Sequence, residues 1–172
     1  IVSLQGTGEA HQDIAKELGE NIDSPKIIAL KYLKLARKKY DNMDNIIDKY
    51  EQLFKEQEFD CPNPLDELIS EFGEEEVAEI TGRKERIING EIHKKSTTTM
   101  QEKNAFMNGD KRIAILSEVG GVGISLQSDP RCKNQQRRFH IILELPWSAE
   151  QFVQQCGRSH RSNQVNTPHY EI

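Results

Sequence analysis

The chain has 172 residues, 35% hydrophobic and 30% charged, with a formal net charge of −5, which is one domain's worth of material. No apolar run approaches the ~18–20 residues of a membrane helix, and Ile1-Val2-Ser3-Leu4-Gln5 lacks the basic start and apolar core of a signal peptide. Cys61, Cys132 and Cys156 share no metal-ligand spacing and leave one unpaired, which excludes zinc and disulfide scaffolds and gives the expectation of a reducing, intracellular setting.

Charge is spread unevenly. Residues 1–40 hold seven basic and five acidic side chains, residues 41–80 two and fourteen, and residues 81–172 fourteen and nine. The last stretch suits an anionic partner, whereas the middle one would repel it.

In chain order, Ile1 to Leu4 reads as a short buried strand that leaves through Gln5-Gly6-Thr7-Gly8. A strand with nothing before it, and Tyr170-Glu171-Ile172 stopping as though inside another, give the expectation that the chain is a piece of a longer protein. From about Glu9 to Ile80 the spacing is helical. Ser24-Pro25 is a helix start, and Met43, Ile46, Ile47, Tyr50, Leu53 and Phe54 fall on one helix face. Asn63-Pro64 opens another helix, with Asp66 and Glu67 in its first turn, Leu65, Leu68, Ile69 and Phe72 inside, and Gly73 ending it. The acidic run reads as the solvated side of these helices, or as a docking surface for a basic partner.

After Gly82 the period changes. Arg86-Ile87-Ile88 and Glu91-Ile92-His93, split by Asn89-Gly90, predict a hairpin with a type I′ turn. Thr98 to Met107 predicts a helix with a Thr98-x-x-Gln101 capping box and Gly109 beyond its end. Arg112–Leu116 and Phe139–Leu143 are short apolar runs, and Ser148-x-x-Gln151 caps a helix through Phe152, Val153 and Cys156. Continuous apolar strands separated by helices predict an α/β fold with a parallel sheet covered on both faces. Residues 1–8 and 81–172 would form this lobe, interrupted by an acidic helical insertion over 9–80.

Two segments carry chemistry. In Ser117-Glu118-Val119-Gly120-Gly121-Val122-Gly123-Ile124-Ser125-Leu126, three glycines in four positions follow a buried strand and let a backbone or a phosphate approach closely. A tight turn without a ligand has the same signature. No lysine follows the glycines, so this is not a Walker A loop. In Gln154-Gln155-Cys156-Gly157-Arg158-Ser159-His160-Arg161-Ser162-Asn163-Gln164, Arg158 and Arg161 are three apart and would project together from one helical turn. Planar, permanently charged guanidiniums suit a polyphosphate whose charge rises in a transition state. The bland alternative is a pair of solvated surface arginines. A glycine loop at a strand end, where open α/β sheets hold their sites, favours the functional reading.

These residues resemble a known family. Gln154-x-x-Gly157-Arg158-x-x-Arg161 resembles the sixth motif of superfamily 2 helicases, and residues 117–126 their fifth. Leu143-Glu144-Leu145-Pro146-Trp147-Ser148 looks like the strand and Trp-containing turn of Swi/Snf-type translocases. The combination of Leu143–Ala149, His160–Gln164, Asn63–Ile69, Ala78–Lys84 and Ser3–Ala10 is similar to the C-terminal helicase domain of the strawberry notch family. The Gly120-Gly121 pair departs from that family's Ala/Ser pattern towards the general superfamily one.

The resemblance implies the second RecA-like lobe, of the P-loop NTPase superfamily, in an ATP-driven nucleic-acid motor. Arg158 and Arg161 would be arginine fingers, and Gln154, Gly157, Gly121 and Gly123 would help hold ATP. Ser117, Gly120, Ser125, Arg137 and Arg138 would contact a DNA or RNA backbone, with Arg131 and Lys133 adding basic charge. The chain contains no Gly-x-x-x-x-Gly-Lys-Ser/Thr and no DExH-like acidic strand end. The Mg²⁺ ligands and phosphate cradle are therefore expected in a preceding N-terminal lobe, its implied partner, and this piece alone is not expected to hydrolyse ATP. The family association is with transcription and chromatin in animal nuclei, with cytoplasmic or viral settings for related genes. A second reading is a non-catalytic scaffold that uses the acidic helices. A free-standing nucleic-acid binder is poorer, because only 6% of residues are aromatic.

Overall fold

The computed structural model describes residues 1–4, 25–40, 42–56, 63–88, 91–118 and 120–172. Their elements are β1 (Val2–Leu4), α1 (Pro25–Lys39), α2 (Asp44–Glu56), α3 (Pro64–Phe72), β2 (Val77–Ile80), β3 (Glu85–Ile88), β4 (Glu91–Lys94), α4 (Thr99–Asn108), β5 (Ile113–Ser117), β6 (Phe139–Ile142), α5 (Ala149–Cys156) and β7 (His169–Glu171). The chain divides into two compact units, Ile1–Thr7 with Leu65–Ile172, and Gly8–Pro64.

The first unit is built on a five-stranded parallel sheet of order β2-β5-β1-β6-β7. Alternate side chains of a strand point to opposite faces, so one strand feeds two cores. On one face Ala78, Ile80, Ala114 and Leu116 pack with Phe106 and Met107 of α4 and with Ile124 and Leu126. On the other, Val77, Ile115 and Leu4 pack with Leu65 and Ile69 of α3. This is the expected α/β layering, and it explains why Ile113-Ala114-Ile115-Leu116 is apolar throughout.

The helix ends follow local chemistry. Thr98 and Gln101 form the capping box of α4, and Gly109 closes it in the left-handed region at φ 85°. Gly73 closes α3 in the same way, also at φ 85°. β3 and β4 pair antiparallel with Ile88 opposite Glu91; the expected Asn89-Gly90 turn lies outside the described residues, as do Ser24, Cys61 and the glycines of Gln5–Gly8.

One boundary differs from the expectation. Residues 65–80 belong to the sheet-bearing unit and not to the helical insertion, because α3 covers one sheet face and Val77–Ile80 is an edge strand paired with β5. Glu79, expected on a solvated helix side, is 1% exposed. Its Oε1 accepts from Arg83 Nε and Thr81 Oγ1, each at 2.6 Å, while Arg83 Nη2 pairs with Asp66 Oδ1 at 2.7 Å. Burial alone would raise the Glu79 carboxyl; the Arg83 guanidinium overcomes this and holds it below its ordinary value.

In the second unit α1 and α2 pack together, and Arg37 pairs with Asp48 and with Glu51, the latter at 3.5 Å. Of the predicted apolar face of α2, Ile47 is buried, whereas Met43, Ile46, Tyr50 and Leu53 are exposed. No helix among the described residues is long and apolar enough to cross a membrane.

Candidate nucleotide and nucleic-acid site

The glycine loop begins where β5 ends. Ser117 is buried, and its hydroxyl accepts the Gly120 N–H at 3.1 Å while its carbonyl accepts that of Gly121 at 2.9 Å. A side chain at Gly120 would meet the Ile80 carbonyl oxygen and Thr81 Cα at 2.5 Å, so glycine there lets the loop lie against the end of β2. Gly123 has φ +72° and open space around it. Ile124 and Leu126 then return the chain to the core.

The arginine segment lies beside this loop. Ser148 caps α5 by accepting the Gln151 N–H at 3.2 Å, and the Gln151 side chain donates to Glu118 Oε1 at 3.1 Å. Helix α5 stops at Cys156, and Gly157 to Ser159 continue as a turn. This corrects the expectation that Arg158 and Arg161 share a helical turn. The carbonyl of Arg158 accepts the Leu126 N–H at 2.7 Å, and its Nη1 donates to the Ile124 carbonyl at 3.3 Å. Arg158 is half-buried; desolvation first, and then the nearby Arg161 charge, lower its pKa. Arg161 is exposed, with its N–H on Gln164 Oε1 at 3.0 Å.

Further bonds bind the segment to the loop. Asn163 Nδ2 donates to Asp129 Oδ2 at 2.9 Å, Gln127 Nε2 to Asn163 Oδ1 at 3.2 Å, and the Val165 N–H to the Ser128 carbonyl at 2.8 Å. Asp129 also takes both ends of the Arg131 guanidinium, at 2.9 and 2.6 Å, which holds its carboxyl well below the usual range.

A small open cleft lies at the C-terminal end of β5, lined by Leu116, Ser117, Glu118, Gln151, Gln154, Gln155 and Arg158. Of the expected nucleotide residues, Gln154 and Arg158 line it. Gly121 and Gly123 shape the loop, and Gly157 ends α5. Sequence reading missed Glu118, Gln151 and Gln155. Gln151, Gln154, Gln155 and Arg158 stand at i, i+3, i+4 and i+7, a spacing that would have flagged one polar helix face. The glutamine amides and the Arg158 guanidinium offer N–H donors to a polyphosphate, while the Glu118 carboxylate in the same lining takes up the Gln151 amide and would repel an anion. Among the described residues no cluster of His, Cys, Asp or Glu is placed to hold a metal ion.

The expected nucleic-acid residues divide. Ser125 is half-buried, and Arg137 is exposed with Nε on the Thr167 carbonyl at 3.0 Å. Lys133 is exposed. Ser117 turns its hydroxyl into its own loop. Arg138 is corrected outright: it is 3% exposed, and it donates to the Leu126, Gln136 and Asn134 carbonyls and to Asn134 Oδ1 at 2.8–3.0 Å. Its guanidinium lies 4.9 Å from the Phe106 ring centre. A buried cation keeps its charge only if its donors are taken up, and these are, so Arg138 staples the 126–138 loop and has nothing to offer a phosphate.

Comparison with known proteins places this geometry. Residues 63–172 match the family described as the C-terminal domain on strawberry notch homologues. Protein strawberry notch homolog 1 of Homo sapiens is 50% identical over 139 residues, which is 73% of this chain and 10% of that protein. Protein strawberry notch of Drosophila melanogaster is 52% identical over 122 residues, 63% of this chain and 7% of that protein. Protein FORGETTER 1 of Arabidopsis thaliana is 44% identical over 124 residues, covering 64% and 10%. The chain thus spans about a tenth or less of the length of the curated relatives it matches. No solved structure matches it. The match runs from α3 through the glycine loop to the arginine turn and β7, and the RecA-like chain described here belongs to the strawberry notch family as its helicase-type C-terminal lobe.

Proposed function

We propose that this lobe supplies Arg158 and Arg161 to an ATP site completed by an N-terminal RecA-like lobe of the same protein, and that the loop over Gly120–Ser125 meets the backbone of a DNA or RNA track. The observation that carries the reading is the attachment of Arg158 to the loop. Its carbonyl and its guanidinium bond to Leu126 and Ile124, so the side chain at the cleft and the loop beside it share one backbone support. ATP bound at the cleft supplies a γ-phosphoryl group for transfer to water, with Mg²⁺ held by the other lobe.

Arg158 offers its remaining N–H groups to the rising phosphate charge, Arg161 adds a second cation from the solvent side, and Gln154 aligns the nucleotide. Half-burial spares Arg158 part of the screening that water imposes on an exposed charge. Contacts to a nucleic-acid backbone carry no sequence information, which suits a translocating enzyme. A role in transcription or chromatin regulation, in a nucleus where the source has one, extends the reading.

The test is steady-state ATP hydrolysis by the full-length parent, with and without DNA or RNA, beside its Arg158→Ala and Arg161→Ala variants and beside this chain alone. Stimulated hydrolysis that falls by roughly 10³–10⁵ in either variant is expected, with none from this chain by itself. A folded parent that stays silent with every nucleic acid overturns the motor. A second reading, an interaction scaffold, then leads, favoured by the exposed Ile46, Tyr50 and Leu53 on acidic α2 and Met43 just before it.

A further inference from the structure

Beneath the arginine turn lies a chain of hydrogen bonds that the reading above does not use. His140, in β6, is fully buried. Its Nδ1 lies 2.8 Å from Ser159 Oγ and its Nε2 3.0 Å from Ser3 Oγ in β1. Ser159, also fully buried, lies 3.1 Å from the Tyr170 hydroxyl of β7, and Tyr170 donates to the Cys156 carbonyl at 2.8 Å. Tyr170 gives its one proton to the Cys156 carbonyl, so the Ser159 hydroxyl donates away from His140, and the neutral ring that satisfies both serines donates from Nδ1 to Ser159 and accepts from Ser3 at Nε2. Burial pushes the His140 pKa down from 6.5 to about 4, so the ring is neutral at pH 7.

Ser159 stands between Arg158 and Arg161, just after α5 has ended. Backbone bonds tie the turn to α5, from the Gly157, Arg158 and His160 N–H groups to the Val153, Gln155 and Cys156 carbonyls, and the Arg158 carbonyl ties it to the glycine loop; the Ser159 side chain adds its tie to the sheet, through His140 and Tyr170. We propose that His140 is a positioning residue, which through Ser159 fixes the turn bearing Arg158 and Arg161 on strands β1, β6 and β7. This rests on the arginine reading above for its effect on catalysis, but the placement of the turn stands apart from it. The imidazole lies tilted at 40° against the Tyr170 ring, with centroids 5.4 Å apart, and so has little freedom to swing. Its two nitrogens face different partners, which allows them to be separated chemically.

An asparagine in place of His140 puts an amide where Nδ1 stood and can keep Ser159. A glutamine reaches towards Ser3 and gives up Ser159. Full-length His140→Asn, His140→Gln and Ser159→Ala are compared in ATP hydrolysis and in amide exchange over residues 157–162. His140→Gln and Ser159→Ala are expected to lower kcat by about 10- to 100-fold with KM for ATP little changed, the cost of an arginine about 1 Å out of place. His140→Asn is expected to keep kcat within about threefold of the parent, since its positioning bond survives. Exchange should quicken at 157–162 in His140→Gln and Ser159→Ala only. Equal losses in Asn and Gln variants, tracking their thermal stability, overturn the proposal. If the parent hydrolyses no ATP, the arginine reading fails by itself, and the exchange pattern alone decides whether His140 holds the turn.

Discussion

At the β2 flank of the sheet Glu79, Arg83 and Asp66 are buried as ions, whereas at the β6 flank Ser3, His140 and Ser159 are buried as neutral hydrogen-bonding groups. Both flanks tie a loop to a strand end. The ionic flank joins α3 to the turn after β2, and Lys95 adds a bond to the Glu79 carbonyl. The neutral flank joins three strands to the arginine turn. Ions in a dry site are held strongly while every partner is present, and become a large cost when one is removed. Neutral groups cost less to bury and less to disturb. The scaffold is thus locked at the flank away from the arginines and more softly held beneath them.

The largest break should come from Arg83→Met. It takes the shared guanidinium from two buried carboxylates, so the purified chain should lose about 3–5 kcal/mol in urea unfolding. Replacing the set together, with Asp66→Leu, Glu79→Leu and Arg83→Met, should recover most of that loss; if it does not, the ions give the flank more than mutual compensation.

The flanks should also separate on acidification. Unfolded His140 takes a proton near 6.5 and the folded ring only near 4, so the unfolded state binds more protons in between. Stability should therefore fall by up to about 3 kcal/mol as pH drops from 6.5 to 4, and His140→Asn should flatten that limb. Glu79 works lower down: its folded pKa lies below its ordinary 4.5, so its contribution is present above that value and is lost on acidifying beneath it. Arg83→Met should remove the second limb and leave the first, as read by denaturant midpoints across pH.

The smallest effect comes where the glycine loop touches the β2 end. Gly120→Ala sets a Cβ against Ile80 and Thr81 backbone, and should cost about 1–3 kcal/mol in thermal unfolding without altering either acid limb.

Much of the sheet was legible because β1, β5 and β6 are short apolar runs and α4 and α5 carry their own caps. β2 was not, because Val77-Ala78-Glu79-Ile80 sits in an acidic stretch and Glu79 reads as a solvated charge until its partners at 66 and 83 are seen in space. Charge spacing likewise could not separate Arg137 from Arg138, neighbours of which one meets solvent and the other is buried under its own loop. In the cleft, Gln154 and Arg158 stood out by motif. Gln151 read only as the third residue of a cap, and its reach to Glu118 depends on how α5 docks.

The strand at the middle of the sheet is made by the first residues of the chain, with β5 on one side and β6 on the other. Ser3 meets His140 across 137 residues of sequence. A ribosome adding about 5–20 residues per second needs roughly 7–27 s to cover that distance. During synthesis β1 must wait for both neighbours, with its paired edges open, and the sheet closes only when the strand beneath the arginines arrives. Assembly of this lobe is timed by its last third, so a pause in translation before β6 would prolong the interval in which an unpaired parallel strand is exposed to other chains.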